Sequence, residues 1–287
     1  MKKYLGEVIL FIVTFIAASG WFFSKNAMIE FPTIGFIGLR FTLAAILFLP
    51  FATSQLKQLS QKQFLSSSLV GLSYTTYIIL WILGLIHSTH FGEGAFLVSL
   101  SMLIAPFLSY LLFKHKPNKL FWLSLPIAIL GLYLLAANKS SISLSLGSLI
   151  FLLSSFLAAL YFVLNNQFSR NIPVLSLTTI QIGTVGVCCG LYSLFFEDWP
   201  DEISLVSWGW FMASVLITTN TRVLLQTLGQ KYCNVTNAAF IMILEPVWTL
   251  ILSILILGEH LTLNKFFGCL LILAALIIYR LPFVLKK

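Results

Sequence analysis

The sequence contains ten apolar segments of about 20 residues each, joined by short polar connections. A helix needs about 20 predominantly apolar residues to cross the hydrocarbon core of a bilayer. Only 9% of the residues are charged, against about 25% in an ordinary soluble domain. These features exclude a soluble enzyme, a secreted disulfide-rich domain and a large extramembrane domain, and they predict an all-α polytopic membrane protein. The segments are 5–24, 33–53, 64–86, 91–113, 119–137, 146–165, 174–196, 205–229, 234–257 and 265–285.

The 17 Lys and Arg residues are unevenly distributed between the two sides of this topology. Twelve lie on the side of the amino terminus, three lie on the other side, and Arg40 and Arg222 lie within segments. Because basic residues are enriched in cytoplasmic loops, both termini are predicted to be cytoplasmic. The net charge of +8 is then an orientation signal, so no nucleic-acid partner is expected. No organellar signal is visible, and the expected location is a cell inner (cytoplasmic) membrane.

The two halves of the sequence align with each other at an offset of 141 to 145 residues. The matched positions are Leu5-Gly6 with Leu146-Gly147, Pro32 with Pro173, Arg40 with Gln181, and Leu83-Gly84 with Leu228-Gly229. Each half holds five segments, and because five is odd the second half enters the membrane from the opposite side. Inverted repeats of this kind are typical of secondary transporters. The sequence therefore predicts two inverted five-helix repeats, over residues 5–137 and 146–285.

Neither a metal site nor a cofactor is predicted. None of the four cysteines forms a C-x-x-C motif, and all lie in or beside apolar segments. His87, His90 and Glu93 lie close together at one connection, but a metal site there lacks a visible fourth ligand. The same two histidines are the only candidates for an intramembrane enzyme, and no nucleophile pattern accompanies them.

Charged side chains within the hydrocarbon are costly, so they mark candidate functional positions. Arg40 is either a fixed cation for a substrate carboxylate or phosphate, or a structural partner of a buried Glu or a backbone carbonyl. Arg222 follows the polar run 218–221, which favours a water-lined cavity over helix packing alone.

Two carboxylates are further candidates. Glu245 precedes Pro246, which cannot donate a hydrogen bond to the carbonyl of Met242. Beside such a loosened turn, Glu245 either binds a cation or a proton, or pairs with a neighbour to hold the ninth helix. Glu93 lies between two glycines and is either a gate or cation-binding carboxylate, or a solvated carboxylate at a helix amino terminus.

Aromatic and amide side chains near these charges complete the candidate set. Trp21 and Tyr77 are predicted to line a cavity and to stack on an aromatic or cationic solute. Most other Trp and Tyr residues are more typical of helix packing or of the interfacial belt. The predicted substrate-binding residues are Arg40, Arg222, Glu245, Tyr77, Trp21, Asn220 and Gln226, with Glu245 and Glu93 as coupling or gate residues.

Several stretches together carry a family pattern: Trp21 with Lys25, Leu39–Ala45, Gly94–Pro106, Gln226 with Gln230, and Asn237–Val247 followed by Leu257-Gly258-Glu259-His260-Leu261. Taken over the whole chain, they resemble the first, second, fourth, eighth and ninth helices of the drug/metabolite transporter superfamily, EamA type. The resemblance implies ten helices, cytoplasmic termini, and export or exchange of small metabolites such as amino acids. Other members of the superfamily that this chain resembles carry nucleobases, vitamins, nucleotide-derived compounds or drugs.

The repeat, the intramembrane charges and the resemblance predict a secondary active transporter rather than an enzyme. The expected activity is export or exchange of a small polar metabolite, such as an amino acid or a related compound, by alternating access. An uptake or exchange carrier for a nucleotide-derived or vitamin-like metabolite is the alternative, and an intramembrane enzyme or a passive pore is a remote one. Expected partners are the small-molecule substrate, with or without proton coupling, the lipid bilayer and, as an open alternative, a second copy in a homodimer.

Overall fold

The computed structural model describes residues 4–87, 97–136, 146–258 and 262–285, and the regular structure in these ranges is helical. One segment, Ser214–Thr221, is a π-helix. The α-helices are α1 Leu5–Ala27, α2 Thr33–Lys57, α3 Gln61–Ile86, α4 Ser101–Phe113, α5 Lys119–Ala136, α6 Leu146–Phe168, α7 Val174–Phe196, α8 Leu205–Ala213, α9 Arg222–Lys231, α10 Val235–Met242, α11 Glu245–Leu257 and α12 Leu263–Leu285.

These helices form ten membrane spans within the described ranges. α8, the π-helix and α9 make one continuous eighth span, and α10 and α11 make one interrupted ninth span. Six spans are long and apolar enough to cross a bilayer by length and composition alone, and the shorter helices 97–113, 119–135 and 263–279 are also apolar. The predicted ten-helix polytopic fold is confirmed.

Helices from the two halves pack against each other in pairs. α2 packs on α7, α3 on α6, α5 on α12, α4 on α10, and α1 on the eighth and ninth spans. Gly131 of α5 and Gly268 of α12 contact each other directly. A Cβ atom on either glycine would lie under 3 Å from the carbonyl oxygen of the other. The two glycines let the α5 and α12 backbones approach closely, as small residues do between membrane helices.

Two other glycine contacts repeat the same geometry in both halves. A Cβ atom on Gly84 of α3 would lie 2.8 Å from the Phe151 ring of α6, and one on Gly229 of α9 would lie 2.8 Å from Leu10 of α1. These contact pairs occupy matched positions of the internal repeat. The inverted two-repeat architecture is therefore visible in the packing as well as in the sequence.

The eighth and ninth spans depart from regular helix at mid-length. Thr219 and Thr221 in the π-helix donate their hydroxyl protons to the carbonyls of Ser214 and Leu216, five residues earlier. The ninth span breaks after Met242, and Pro246 lies in the first turn of α11. Proline is tolerated there, so the predicted loss of a helical hydrogen bond takes the form of a break between two helices.

Three buried side-chain amides and one threonine hydroxyl form a layer that we name the amide layer. It lies near the face of the molecule where α1 begins (the amino-terminal face). It consists of Asn165, Gln181, Thr227 and Gln230, each inaccessible to solvent. Asn165 Nδ2 donates to Gln230 Oε1 at 2.5 Å and to Thr227 Oγ1 at 3.2 Å, and Gln181 Nε2 donates to Thr227 Oγ1 at 3.2 Å. These bonds tie α6, α7 and α9 together at that face.

Candidate solute-binding site

Arg40 on α2 is held by three neutral hydroxyl groups. Its Nε donates to Thr219 Oγ1 at 2.5 Å, Nη1 to Ser24 Oγ at 2.9 Å and Nη2 to Thr218 Oγ1 at 2.6 Å. Within the described residues its partner is neither a carboxylate nor a backbone carbonyl. The structural alternatives weighed for Arg40 are therefore not what the described part of the chain shows.

The π-helix determines how these hydroxyls meet the guanidinium. The Thr218 and Thr219 hydroxyls both donate to the carbonyl oxygen of Ser214, at 2.8 and 3.1 Å. Because a hydroxyl has one proton, each threonine is left with only lone pairs to offer to Arg40. π-Helical turns occur frequently at functional sites, and this one places two adjacent threonines beside the same cation.

Arg222 and Glu245 form a loose ion pair that joins the interrupted middle of the eighth span to that of the ninth span. Arg222 Nη2 lies 3.7 Å from Glu245 Oε2, and the two side chains are 25% and 22% accessible. Glu245 Oε1 also accepts a hydrogen bond from Trp21 Nε1 at 3.3 Å. The buried Arg222 Nε has no hydrogen-bond partner among the described residues. The pair is therefore partly accessible, and its closest contact is longer than a hydrogen bond.

Aromatic rings surround the two arginines. Tyr74, Tyr77 and Tyr161, which we name the tyrosine cluster, stack with ring centroids 4.3 to 5.9 Å apart. Tyr74 meets Phe41 edge to face with ring centroids 5.4 Å apart, and the Arg40 guanidinium carbon lies 5.7 Å from the centroid of that same Phe41 ring. Trp21 meets Trp81 edge to face, with ring centroids 5.5 Å apart. The charged groups therefore lie in an aromatic environment formed by α1, α3 and α6 from both halves.

The structure brings most of the predicted site residues together. Glu245 contacts both Trp21 and Arg222. Tyr77 belongs to the tyrosine cluster beside them. Asn220 is 8% exposed, and its Oδ1 has no hydrogen-bond partner among the described residues. Gln226 is buried one helical turn after Arg222 and is hydrogen-bonded to none of the other candidates. Glu93 lies outside the described residues.

Sequence reasoning missed Ser24, and it favoured a packing role for Tyr74, Tyr161 and Trp81, which surround the charges here. Ser24 lies one helical turn after Trp21 on α1, so its position on the same helix face was the available signal. The described residues contain no group of three or more His, Cys, Asp or Glu side chains placed to hold a metal ion. His87 is exposed, and His90 lies outside the described residues.

Comparison with known proteins identifies the family. The model of the EamA-like transporter family matches residues 4–137 and 145–281. Two proteins named as uncharacterized transporters of Archaeoglobus fulgidus are 24% identical over 281 residues, covering 98% of this chain and 87% of theirs, and 23% identical over 274 residues, covering 95% of each. A crystal structure superposes with a TM-score of 0.81 at 13% identity, covering 98% of both chains, and shows the same fold.

The family match extends over both halves of the chain, and both relatives are named as transporters. The apolar helices and the two matched repeats make the molecule a multi-pass membrane protein. The chain therefore belongs to the EamA-like transporter family.

Proposed function

We propose that this transporter is a secondary active carrier that exports or exchanges a small polar metabolite, such as an amino acid or a related compound, by alternating access. The observation that carries the proposal is the Arg222–Glu245 pair, which is about one-quarter accessible in the middle of two membrane spans. Such charges within the hydrocarbon usually mark a substrate or ion pathway. Inverted repeats supply the two related halves that alternating access requires.

The residues divide into three roles under this proposal. Arg40 and Arg222 bind an acidic group of the solute, since guanidinium groups bind carboxylate and phosphate with two hydrogen bonds. Glu245 binds a basic group or a proton, and Trp21 and Tyr77 stack on the solute. Asn220 and Gln226 contribute amide hydrogen bonds, for which Asn220 Oδ1 has an unused acceptor position among the described residues.

Breaks in the spans support the same location for the site. The π-helix ends directly before Arg222, and the ninth span resumes at Glu245. In secondary transporters, discontinuous helices commonly form the binding site near the middle of the membrane. The irregular backbone of both spans therefore coincides with the two ends of the ion pair.

Uptake or exchange of a nucleotide-derived or vitamin-like metabolite is the alternative activity, and it uses the same two arginines. Proton coupling through Glu245 or Glu93 is a further part of the proposal. We also propose an inner-membrane location with both termini cytoplasmic, from the excess of basic residues on that side. Transport into proteoliposomes that ignores an imposed pH gradient would remove the coupling proposal and leave the rest intact.

The decisive experiment identifies a solute and then tests the ion pair. Metabolites are compared in cells with and without the protein, and the best candidate is measured by counterflow in proteoliposomes. Arg222→Ala and Glu245→Gln are each expected to lower the initial rate at least about 10-fold, because each leaves the other charge of the pair without its partner inside the membrane. Arg170→Gln, an exposed residue at the amino-terminal face, is the matched control. Unchanged rates in both site variants would refute the site, and flux that does not saturate would indicate a pore.

A further inference from the structure

The charges around the candidate site are not balanced. Arg222 is paired with Glu245, whereas Arg40 has no carboxylate within 4 Å among the described residues. Arg40 is bonded to Thr218 and Thr219, which lie four and three residues before Arg222, so the two arginines lie within about one helical turn of each other along the eighth span. Two cations and one carboxylate leave the described site with one uncompensated positive charge. A single charge of this kind is costly within a membrane protein, and an anionic ligand would offset that cost.

Arg40 is prepared to receive such a ligand. Three of its five N–H groups are taken by Ser24, Thr218 and Thr219. The remaining two, one on each Nη nitrogen, have no acceptor among the described residues, and their number matches the two oxygens of one carboxylate. Because the threonine protons are committed to Ser214, the hydroxyls orient the guanidinium without neutralising it.

Arg222 offers a second point of attachment. Its Nε is buried without a hydrogen-bond partner in the described part of the chain, and its closest contact with Glu245 exceeds hydrogen-bond distance. An anionic group between Arg40 and Arg222 would use these free donors and relieve the repulsion between the two cations. A zwitterion would leave the net charge of the site unchanged, whereas a monoanion would bring it to zero.

We propose that the solute is bound and carried as a net monoanion, with its carboxylate or phosphate between Arg40 and Arg222. This inference rests on the proposed function and narrows its solute to compounds of net charge −1, which among amino acids leaves the acidic ones and disfavours those that are net zwitterions. Arg40 supplies the uncompensated charge that selects this class. Thr218 and Thr219 act as positioning residues, because they orient the guanidinium through their lone pairs.

The test measures binding across matched probes of different charge. Purified protein is dialysed to equilibrium against phenylacetate, phenylacetamide, phenylglycine and phenethylamine, and against butyrate, butyramide, 2-aminobutyrate and butylamine. Retention is quantified by mass spectrometry. The two monoanions are expected to be retained at least 10-fold more strongly than the neutral, zwitterionic and cationic compounds of the same skeleton. Equal retention of all classes, preference for another class, or retention of none would overturn the proposal.

Variants at one position separate net charge from folding. Thr219→Asp places a carboxylate at the Nε of Arg40 and should abolish the preference for monoanions while Arg40 remains in place. Thr219→Asn has the same shape as Thr219→Asp without the charge and should keep the preference. Loss of the preference in Thr219→Asn, or its survival in Thr219→Asp, would contradict the charge argument.

Counterflow in proteoliposomes separates this proposal from the proposed function. Retention of monoanions without saturable counterflow would refute transport and leave the charge class standing. Saturable counterflow of zwitterions with no monoanion preference would refute the charge class and leave transport standing.

Discussion

Glu30 shows how a single carboxylate fastens two parts of the chain at the face opposite the amino terminus. It lies in the connection between α1 and α2, and it accepts hydrogen bonds from the Ser204 backbone N–H at 2.7 Å and from its hydroxyl at 2.9 Å. These bonds, the backbone one foremost, lower the pKa of the Glu30 carboxyl below its usual range. The contact therefore favours the ionised carboxylate and connects that loop to the start of α8.

The sign of the resulting pH dependence follows from the lowered pKa. Stability from Glu30 is fully present above the pKa of the unfolded carboxyl, about 4.3, and is lost as the pH falls through the lower folded value. We expect Glu30→Gln to flatten the decline in Tm of the detergent-solubilised protein below about pH 5. Glu202→Gln, in an exposed connection on the same face, is the control. An unchanged slope in Glu30→Gln would show that the contact does not persist in solution.

Two buried polar side chains of α6, Ser155 and Asn165, are expected to contribute differently to the free energy of unfolding. Asn165 donates two hydrogen bonds within the amide layer, whereas Ser155 Oγ is buried without a partner among the described residues. Asn165→Ala should lower the free energy of unfolding by about 1–3 kcal/mol, because it leaves buried partners unsatisfied. Ser155→Ala should be neutral or stabilising. Thermal melting of both variants checks this, and equal losses would contradict it.

At the scale of elements, close helix contacts are expected to dominate the cost of substitution. A Cβ atom on Gly38 of α2 would lie 2.5 Å from the backbone nitrogen of Gly190 on α7, whereas one on Gly183 of α7 would meet only Ala45 Cβ at 3.6 Å. Gly38→Ala should destabilise the protein by about 1–3 kcal/mol through overpacking. Gly183→Ala should leave Tm unchanged or raised. If Gly38→Ala melts with the wild type, the α2–α7 contact is looser than described here.

The same elements show what sequence reasoning could and could not reach. Span number and the inverted repeat follow directly from hydropathy and matched glycines, because each is a local pattern or a simple offset. The hydrogen bond from Trp21 to Glu245 joins residues 224 positions apart, which no local pattern encodes. The π-helix depends on threonine hydroxyls bonding five residues back, and the same residues are compatible with an ordinary α-helix.

Partner choice at Arg40 was ambiguous for a related reason. A guanidinium within a membrane span can donate to a carboxylate, a carbonyl or a hydroxyl. Hydroxyl residues are too frequent in these helices for the sequence to identify the partner. The structure selects Ser24, Thr218 and Thr219, which come from opposite ends of the chain. The candidate residues themselves were predictable because charges are so few.

At the scale of the whole molecule, ten spans require both termini to lie on one side of the membrane. Asp201 lies in the connection before α8 and Tyr232 in the connection after α9, and both are exposed. In a variant without native cysteines, Asp201→Cys should react with an impermeant maleimide in intact cells. Tyr232→Cys should react only after permeabilisation. The reverse pattern would invert the proposed orientation, and labelling of both from one side would contradict a membrane crossing by the eighth span.

One matched pair of positions in the two repeats carries different residues, and this has an energetic consequence. Arg40 corresponds to Gln181, so one copy places a cation beside three hydroxyls while the other places a neutral amide against Thr227. A carrier with two identical halves would populate its two orientations equally when empty. Under the proposed alternating access, the unequal residues are expected to make one orientation of the empty carrier more populated than the other, and exchanging the two side chains is expected to shift that preference.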